Sequence, residues 1–211
     1  MMVFWDAGKS GGQRAGWKTF AIVNLHLHPG GSPDDVAFRR EEVRLLLSAI
    51  KHKIKRGRFW NENLILAGDF NLFEGADKDD GTIVMLADAG FREVNRLVGV
   101  DTNASQTEVY DRLFLSNSEY FRLGEAEDGR ESGGVFNPFR QVYRDGDEDT
   151  YKAEMMEDYT GHRDLNVPSK LSSYYKHPWR KNQLSDHFPI WCELAIDDSD
   201  EFLKEKLSEL S

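Results

Sequence analysis

Four short motifs in this sequence of 211 residues place carboxylate, amide or imidazole side chains at the ends of apolar runs. In chain order they are Asn24-Leu25-His26, Gly68-Asp69-Phe70-Asn71, Tyr110-Asp111-Arg112 and Ser185-Asp186-His187-Phe188-Pro189. Carboxylate oxygens bind hard cations such as Mg²⁺ and Mn²⁺, amides hold a phosphate or a water molecule, and imidazoles transfer protons near neutral pH. A site that combined the four motifs would have the groups that metal-assisted hydrolysis of phosphate esters requires.

Each motif also has a structural interpretation when it is considered alone. Asp69 and Asn71 can form an Asx turn, and a single histidine is usually structural or solvated. Asp111 can pair with Arg112 or with another cation. The repetition of the same pattern at four strand ends favours the catalytic interpretation.

The elements that would position these motifs alternate between strand and helix. Periodicity, β-branched runs and breaker residues predict a strand over 17–27, a helix over 33–57, a strand over 63–68, a helix over 82–89, a strand over 109–115 and a strand over 188–196. Residues 117–181 predict loops, with a helical pattern around 150–158. The order indicates an α/β protein with one domain over 1–196, followed by an acidic tail or short helix over 197–211.

Composition excludes several classes of protein. The chain has 27 Lys and Arg against 37 Asp and Glu, a formal net charge of −10, so contact with a phosphate polyanion needs a local basic patch or metal ions. The single cysteine, Cys192, excludes an internal disulfide and a cysteine-rich zinc site. The sequence has no secretory signal and no apolar run of about 18 residues, so we expect a cytoplasmic protein without a membrane span.

The four motifs, in this order, closely resemble the second-half motifs of the endonuclease/exonuclease/phosphatase superfamily, which has the deoxyribonuclease I-like fold. The resemblance extends over residues 20–194. It implies a four-layer αββα sandwich of the α/β (α+β) class, with a metal-dependent site at one end. The family's first-half motifs, an Asn-bearing strand and a Gln-Glu corner, have no counterpart here. The chain is therefore expected to be the C-terminal portion of an N-terminally truncated domain, with a missing N-terminal segment or a complementing chain as a partner.

The resemblance also implies a role for each catalytic residue. His26 is expected to contact the scissile phosphate and to assist the leaving group. Asp69 and Asn71 are expected to orient the attacking water and to bind phosphate or metal. Asp111 is expected to hold His187 in its productive orientation, and the implied reaction is in-line attack of water on phosphorus.

The implied cofactor is Mg²⁺ or Mn²⁺, with Asp186 and Asp69 as its ligands. Residues 174–181 interleave aromatic and cationic side chains, which is the composition of a surface that stacks flexible nucleic acid, although packing of a loop against the domain explains it equally well. The residues expected to bind substrate are Asn24, Asn71, Tyr175 and Arg180. A basic run over 51–58 is more simply explained by the dipole at the end of a helix.

The leading hypothesis is a metal-dependent phosphodiester hydrolase, specifically a nuclease. The alternatives are a phosphatase that acts on a lipid or sugar phosphate, and a noncatalytic fragment or pseudoenzyme that lacks the first metal ligands. The sequence leaves open DNA against RNA, endonuclease against exonuclease, and the oligomeric state.

Overall fold

A computed structural model describes residues 20–55, 63–72, 81–117, 121–195 and 199–209. Within these ranges the elements are, in order, β1 Ala21–His26, α1 Pro33–Lys55, β2 Leu64–Asp69, α2 Thr82–Asp88, β3 Phe91–Glu93, β4 Asp111–Ser116, β5 Gly133–Val135, α3 Lys152–Asp158, α4 Pro168–Tyr174, α5 Arg180–Gln183, β6 Ile190–Cys192 and α6 Ser199–Glu209. The mixed α/β architecture predicted from the sequence is confirmed. None of the described helices is long and apolar enough to cross a membrane.

The principal sheet has four strands in the order β1-β2-β4-β3. Strands β1 and β2 are parallel, whereas β4 is antiparallel to both of its neighbours, β2 and β3. The carboxyl ends of β1 and β2 and the amino end of β4 therefore meet at one edge of the sheet. Strands β5 and β6 form a separate antiparallel ribbon.

Helix α1 covers one face of the sheet. Its side chains Val43, Leu46 and Ile50 are buried in a cluster with alternate residues of the strands, such as Val23 and Leu66. Each fully buried side chain of this kind contributes about 1.5–3 kcal/mol of hydrophobic free energy. The helix that periodicity predicted here is confirmed, and its apolar side chains face the sheet.

The start of α1 is fixed by a reciprocal cap. The Asp35 amide donates to Oγ of Ser32 at 3.2 Å, and the Ser32 amide donates to Oδ2 of Asp35 at 3.0 Å. The hydrogen bonds from Ser32 and His28 lower the pKa of Asp35 to about 2. Ser32 thus caps the start of α1, and the cap holds the loop that leaves β1.

The opposite face of the sheet packs against the β5–β6 ribbon. Ile65, Leu113 and Leu115 project from this face and cluster with Val135 and Ile190 of the ribbon. Because side chains alternate along a strand, Asp69 and Asp111 project from the same face as Ile65 and Leu113. These polar residues therefore lie on the face of the sheet that packs against the ribbon, at the carboxyl end of β2 and the amino end of β4.

The loop prediction for 117–181 is corrected in several places. The helical pattern around 150–158 is confirmed by α3, but the stretch also contains β5, a 3₁₀ helix at Pro138–Arg140 and α4. A π-helical turn, Tyr175–Trp179, joins α4 to α5. These elements surround an aromatic cluster, whose buried members are Met155, Leu165, Leu171, Tyr175 and Trp179. Elements of three to seven residues are too short to produce a readable periodicity, because a helix shows its apolar stripe only over several turns.

Other boundaries also differ from the sequence prediction. The last strand is Ile190–Cys192 rather than 188–196, and Phe188 instead packs its ring against Phe139. The predicted helix in the acidic tail is present as α6. The start of the predicted strand at Trp17 and the predicted helix stop at Gly57 lie outside the described residues.

Candidate functional site

Three polar residues form a row across neighbouring strands at the edge of the sheet. His26 is the register partner of Asp69 in the β1–β2 pair, and Asp69 is the register partner of Asp111 in the β2–β4 pair. Register partners project from the same face, so the three side chains lie side by side. Residues that are separated in sequence are thus brought together by strand pairing.

His187 reaches this row from the loop that precedes β6. Its Nδ1 atom lies 2.7 Å from Oδ2 of Asp111, and its Nε2 atom lies 3.9 Å from Oδ2 of Asp69. Nε2 of His26 lies 3.5 Å from the same Asp69 oxygen. Two imidazoles therefore flank one carboxylate oxygen, an arrangement that the sequence motifs did not specify.

The His187–Asp111 hydrogen bond sets the orientation and the protonation of the imidazole. Asp111 accepts through its carboxylate, so Nδ1–H of His187 donates and Nε2 remains available for a bound molecule. Burial lowers the pKa of His187, but the hydrogen bond from Asp111 and the negative charges of Asp111, Asp69 and Asp186 outweigh it and raise the pKa above the usual value. His187 therefore holds a proton to higher pH than a solvated histidine.

Asp69 occupies an Asx turn as well as the centre of the row. The Asn71 amide donates to Oδ1 of Asp69 at 2.9 Å, which leaves Oδ2 for the two histidines. Burial raises the pKa of Asp69, and the Asn71 amide and the charge of His187 oppose that rise only in part. The structural and the catalytic interpretations of this motif are compatible, because each uses a different oxygen.

Asn71 holds the turn rather than facing solvent. Its backbone is in the left-handed region, with φ of 49°, which asparagine tolerates better than most residues. Its side-chain amide donates to the carbonyl of Leu27 at 3.0 Å, and the residue is buried. These contacts position Asp69 and the end of β1, and the substrate contact expected of Asn71 stays a prediction.

Gly68 allows β1 and β2 to approach closely beside the row. Its φ of 134° is a conformation that side chains rarely adopt, and a Cβ atom there would lie 2.1 Å from the carbonyl oxygen of Leu25. Any other residue would push the two strands apart next to Asp69. The glycine of the Gly-Asp-Phe-Asn motif is thus required by backbone packing.

Arg112 is not the partner of Asp111. It projects to the helix-covered face, where its Nη1 donates to Oε1 of Glu93 at 2.7 Å, and it is fully buried. Neighbouring residues of a strand point to opposite faces, so the backbone itself keeps Arg112 away from the site. The alternatives that the sequence left open for Asp111 are resolved in favour of His187.

Residues 102–108 belong to the site although no sequence motif marked them. Asn103 forms an isolated antiparallel bridge with His187, and the Ala104 amide donates to the carbonyl of Asp186 at 2.8 Å. The Tyr110 ring lies 6.1 Å from the His187 ring, centroid to centroid. Burial, followed by the charges of Glu108 and Asp69, raises the pKa of the Tyr110 hydroxyl. This wall of the site is made by long-range contacts that periodicity does not report.

The predicted substrate contacts at Tyr175 and Arg180 are corrected by their burial. Tyr175 is 0% exposed and its hydroxyl donates to the carbonyl of Arg144 at 3.0 Å. Arg180 is 5% exposed, bonds to Asp145 at 2.6 Å and stacks over Phe139 with its guanidinium carbon 4.4 Å from the ring centroid. Both side chains stabilise the aromatic cluster and its surroundings, so neither is presented to a substrate.

Three further residues, Asn24, Asp186 and Lys181, lie on the solvent-exposed side of the site. Asn24 is exposed and lies two residues before His26 on the same face of β1. Asp186 is exposed, and Nζ of Lys181 lies 3.9 Å from its Oδ2. Lys181 is thus the cation of the 174–181 segment that reaches the final motif, a role that sequence composition did not distinguish from that of Arg180.

The metal-ligand role expected of Asp69 and Asp186 stays a prediction. Among the residues that the structure describes, no group of three or more His, Cys, Asp or Glu side chains converges in a way that would hold a metal ion. Oδ1 of Asp69 accepts the Asn71 amide, and Asp186 lies beside the Lys181 ammonium. Magnesium usually keeps several water ligands and is bound through one or two carboxylates together with substrate phosphates, so Asp69 and Asp186 remain the predicted ligands.

Comparison with known proteins gives likenesses of structure. No protein-family model and no curated protein matches the chain. The chain is similar in structure to an endonuclease/exonuclease/phosphatase from Beutenbergia cavernae, with a TM-score of 0.45, 13% identity, and coverage of 83% of this chain and 35% of that chain. It is also similar to a mannosyl-6-phosphatase from Bacteroides thetaiotaomicron, with a TM-score of 0.42, 18% identity, and coverage of 84% and 51%.

A third likeness is to a conserved protein of unknown function from Enterococcus faecalis, with a TM-score of 0.43, 16% identity, and coverage of 89% of this chain and 53% of that chain. The chain thus spans between about a third and about a half of the length of these structures. All three TM-scores are below 0.5, so we draw the function from the site itself.

Proposed function

We propose that this chain hydrolyses phosphate esters at the row formed by His26, Asp69 and Asp111 together with His187. The observation that carries the proposal is the convergence of three sequence motifs on one carboxylate oxygen, Oδ2 of Asp69, with imidazoles at 3.5 and 3.9 Å. A histidine oriented by a carboxylate, beside a second carboxylate of raised pKa, is the arrangement that general acid–base chemistry requires.

The proposed reaction assigns one proton or one charge to each group. A water molecule attacks phosphorus, and Asp69 accepts the proton that the water loses, because burial makes its carboxylate more basic than usual. The imidazolium of His187 keeps its proton and donates a hydrogen bond from Nε2 to a phosphoryl oxygen, where negative charge develops, and Asp111 holds it in place. As the bond between phosphorus and the leaving oxygen breaks, His26 gives that oxygen a proton.

Within this class of reaction we favour a phosphodiester, and specifically a nucleic acid, as the substrate. The side chain of His26 is 72% exposed, so the rim of the row is open to an extended chain. The ammonium group of Lys181 stands beside Asp186 at this rim and supplies a cation in a protein whose net charge is −10. A lipid or sugar phosphate is the second candidate, because one small phosphate group makes the same contacts.

Mg²⁺ or Mn²⁺ stays a prediction of the family resemblance. A cation bound at Asp69 or Asp186 would take its remaining ligands from water and from phosphate oxygens of the substrate. The assay below therefore includes arms with and without each metal.

The test is hydrolysis of a panel by the full chain. The panel contains single-stranded and double-stranded DNA, single-stranded RNA, bis(p-nitrophenyl) phosphate and p-nitrophenyl phosphate. We expect Asp111→Asn and His187→Asn to lower turnover about 10²–10⁴-fold. The matched controls are Asp149→Asn and His52→Asn, which make the same substitutions at exposed positions and should leave turnover unchanged.

Each outcome distinguishes the candidates. Cleavage of the diesters indicates a nuclease or another phosphodiesterase, whereas release from the monoester alone indicates a phosphatase. Equal turnover by Asp111→Asn and the wild type would contradict the proposed site. A folded wild-type chain that hydrolyses nothing, with or without either metal, would support the noncatalytic alternative.

A further inference from the structure

Thr102 is a fully buried threonine that contacts the strand carrying Asp111. Its Oγ1 atom accepts from the amide of Tyr110 at 3.0 Å and from the amide of Asp111 at 2.9 Å. One side-chain oxygen therefore satisfies two consecutive backbone donors where β4 begins. The contact fixes the backbone from which the Asp111 carboxylate projects.

The backbone of the same residue contacts the segment carrying His187. The carbonyl of Thr102 accepts from the Phe188 amide at 2.6 Å, and its neighbour Asn103 forms the antiparallel bridge with His187. Thr102 thus binds Asp111 through its side chain and the His187 segment through its main chain. No other residue described above contacts the backbone on both sides of the His187–Asp111 hydrogen bond.

The loop that presents Thr102 is itself fixed by hydrogen bonds. Oδ1 of Asn103 accepts from the amides of Thr107 at 2.8 Å and Glu108 at 3.1 Å, and the Thr102 amide donates to the carbonyl of Glu108 at 2.9 Å. A loop closed by these hydrogen bonds resists displacement, so Thr102 stays in contact with β4. Asn103 supports Thr102 in that position.

The hydroxyl, rather than the bulk, of Thr102 makes the contact to β4. A valine has nearly the same shape but accepts no hydrogen bond, so it would leave the two part-buried amides without this acceptor. A fully buried donor left without a partner costs about 1–3 kcal/mol, and a part-buried donor costs less. We expect the Thr102→Val protein to relieve this cost by moving the start of β4 towards water. That movement would separate Asp111 from His187.

We propose that Thr102 is a positioning residue that sets the His187–Asp111 hydrogen bond by tying the start of β4 to the segment before β6. It does not touch the reacting groups and acts through Asp111 and His187. The inference goes beyond the proposed function, because the hydrogen bond can be measured in a protein that hydrolyses nothing.

The first test uses three variants and proton NMR of the full chain. Thr102→Val removes the acceptor, Thr102→Ser keeps it, and Thr82→Val makes the same substitution at a buried threonine in α2, which packs on the other face of the sheet. The signal is the downfield Nδ1–H resonance of His187, assigned by its loss in His187→Asn. The second signal is the exchange rate of the Tyr110 and Asp111 amides.

The expected result separates positioning from general stability. Thr102→Val should lose the His187 resonance and exchange the two amides at least tenfold faster, while Thr102→Ser and Thr82→Val should keep both signals. A folded Thr102→Val protein that retains the resonance would overturn the inference, and so would loss of the resonance in Thr102→Ser.

A second variant covers the case in which Thr102→Val does not fold. Asn103→Ala removes the acceptor that closes the loop while keeping the Thr102 side chain, and Asn103 is only partly buried. It should broaden the His187 resonance and speed exchange of the Asp111 amide. An unchanged resonance and exchange rate in a folded Asn103→Ala protein would count against the inference.

The kinetic arm rests on the proposed function and is kept separate from the NMR result. If the wild type hydrolyses a substrate, Thr102→Val should lower kcat about 10–100-fold with KM little changed, because the reacting groups are misplaced by a fraction of an ångström to about 1 Å. Thr102→Ser should restore most of kcat. If the wild type hydrolyses nothing, the proposed hydrolysis is refuted. Loss of the His187 resonance in Thr102→Val would support the positioning role even then.

Discussion

Strand β4 carries two ion pairs at consecutive positions, one on each face of the sheet. Asp111 pairs with His187 on the ribbon face, where the two side chains are 14% and 33% exposed. Arg112 pairs with Glu93 on the helix face, where the two side chains are 0% and 10% exposed. The chemistry of the two pairs is similar, so their different surroundings decide what each can do.

The buried pair, Arg112 and Glu93, stabilises the fold. The partly exposed pair, Asp111 and His187, can take part in a reaction with a bound molecule. Removing one partner of a buried pair leaves an uncompensated charge in the core, which the fold tolerates poorly. A pair at the rim keeps one imidazole nitrogen for a bound molecule and can exchange a proton with it. Mutations of the two pairs should therefore affect stability and activity in opposite proportions.

The largest expected effect on stability comes from Arg112→Met. The methionine fills much of the space of the arginine stem but removes the fully buried guanidinium that pairs with Glu93, and breaking a buried ion pair costs about 3–5 kcal/mol. Urea unfolding followed by circular dichroism measures the loss. Asp111→Asn, at the neighbouring position of the same strand, is the matched comparison and should cost about 1 kcal/mol or less, as a half-exposed pair does. Equal losses in the two variants would refute the division between the faces.

Asp69→Asn should lower activity and stabilise the fold at the same time. Burial holds the folded-state pKa of Asp69 above the usual 3.8, so ionising this carboxyl costs stability as pH rises from that value through the folded pKa, and the cost persists at pH 7. An asparagine carries no charge and still offers an oxygen to the Asn71 amide. We expect a gain of about 0.5–2 kcal/mol in urea unfolding at pH 7 and a loss of turnover of about 10²-fold or more. A destabilised Asp69→Asn protein would show that the turn, rather than the charge, dominates at this position.

The two pairs of β4 should also respond differently to pH. The pKa of His187 is raised above its usual 6.5, so the stability that its protonated form gains from Asp111 is fully present below about pH 6.5 and is lost as pH rises through the raised value. The stability difference between the wild type and Asp111→Asn should therefore shrink over that rise. The difference between the wild type and Arg112→Met should stay constant to about pH 9, because arginine remains protonated. Urea titrations at a series of pH values test both slopes, and a constant difference for Asp111→Asn would contradict the role of His187.

The elements that carry the row were largely predictable from sequence. The alternation in β1, the apolar run of β2 and the amphipathic stripe of α1 are local patterns, and each produced the expected element. The pairing that aligns His26, Asp69 and Asp111 follows once parallel and antiparallel neighbours are known, because register partners share a face. The motif residues were therefore found without a structure, although the distances between them were not.

The features that the sequence did not predict depend on contacts between distant parts of the chain. The salt bridge between Arg112 and Glu93 joins β4 to β3. Strand β3 has only three residues, which is too short for a periodic pattern, so the sequence predicts neither this strand nor the salt bridge. Thr102 is a single threonine in a loop, whose importance comes from the amides that strand pairing brings to it. Residues 174–181 have a composition that suits both a nucleic-acid surface and a packed cluster, and tertiary packing decides between them.

The smallest expected effect belongs to Lys181, and it sharpens the contrast with its neighbour Arg180. Both are cations of α5, but Arg180 is buried against Phe139 whereas Lys181 extends to within 3.9 Å of Asp186. An exposed ammonium contributes about 0.2–1 kcal/mol, so Lys181→Met should raise KM for an anionic substrate about two- to fivefold with kcat unchanged, and the effect should fade at high salt. Arg180→Met should instead lower the free energy of unfolding and leave KM for the folded enzyme unchanged. Steady-state kinetics at low and high ionic strength, with urea unfolding of both variants, measure these quantities. A larger change in KM for Arg180→Met than for Lys181→Met would return the substrate contact to the buried arginine and reverse the assignment of the two cations.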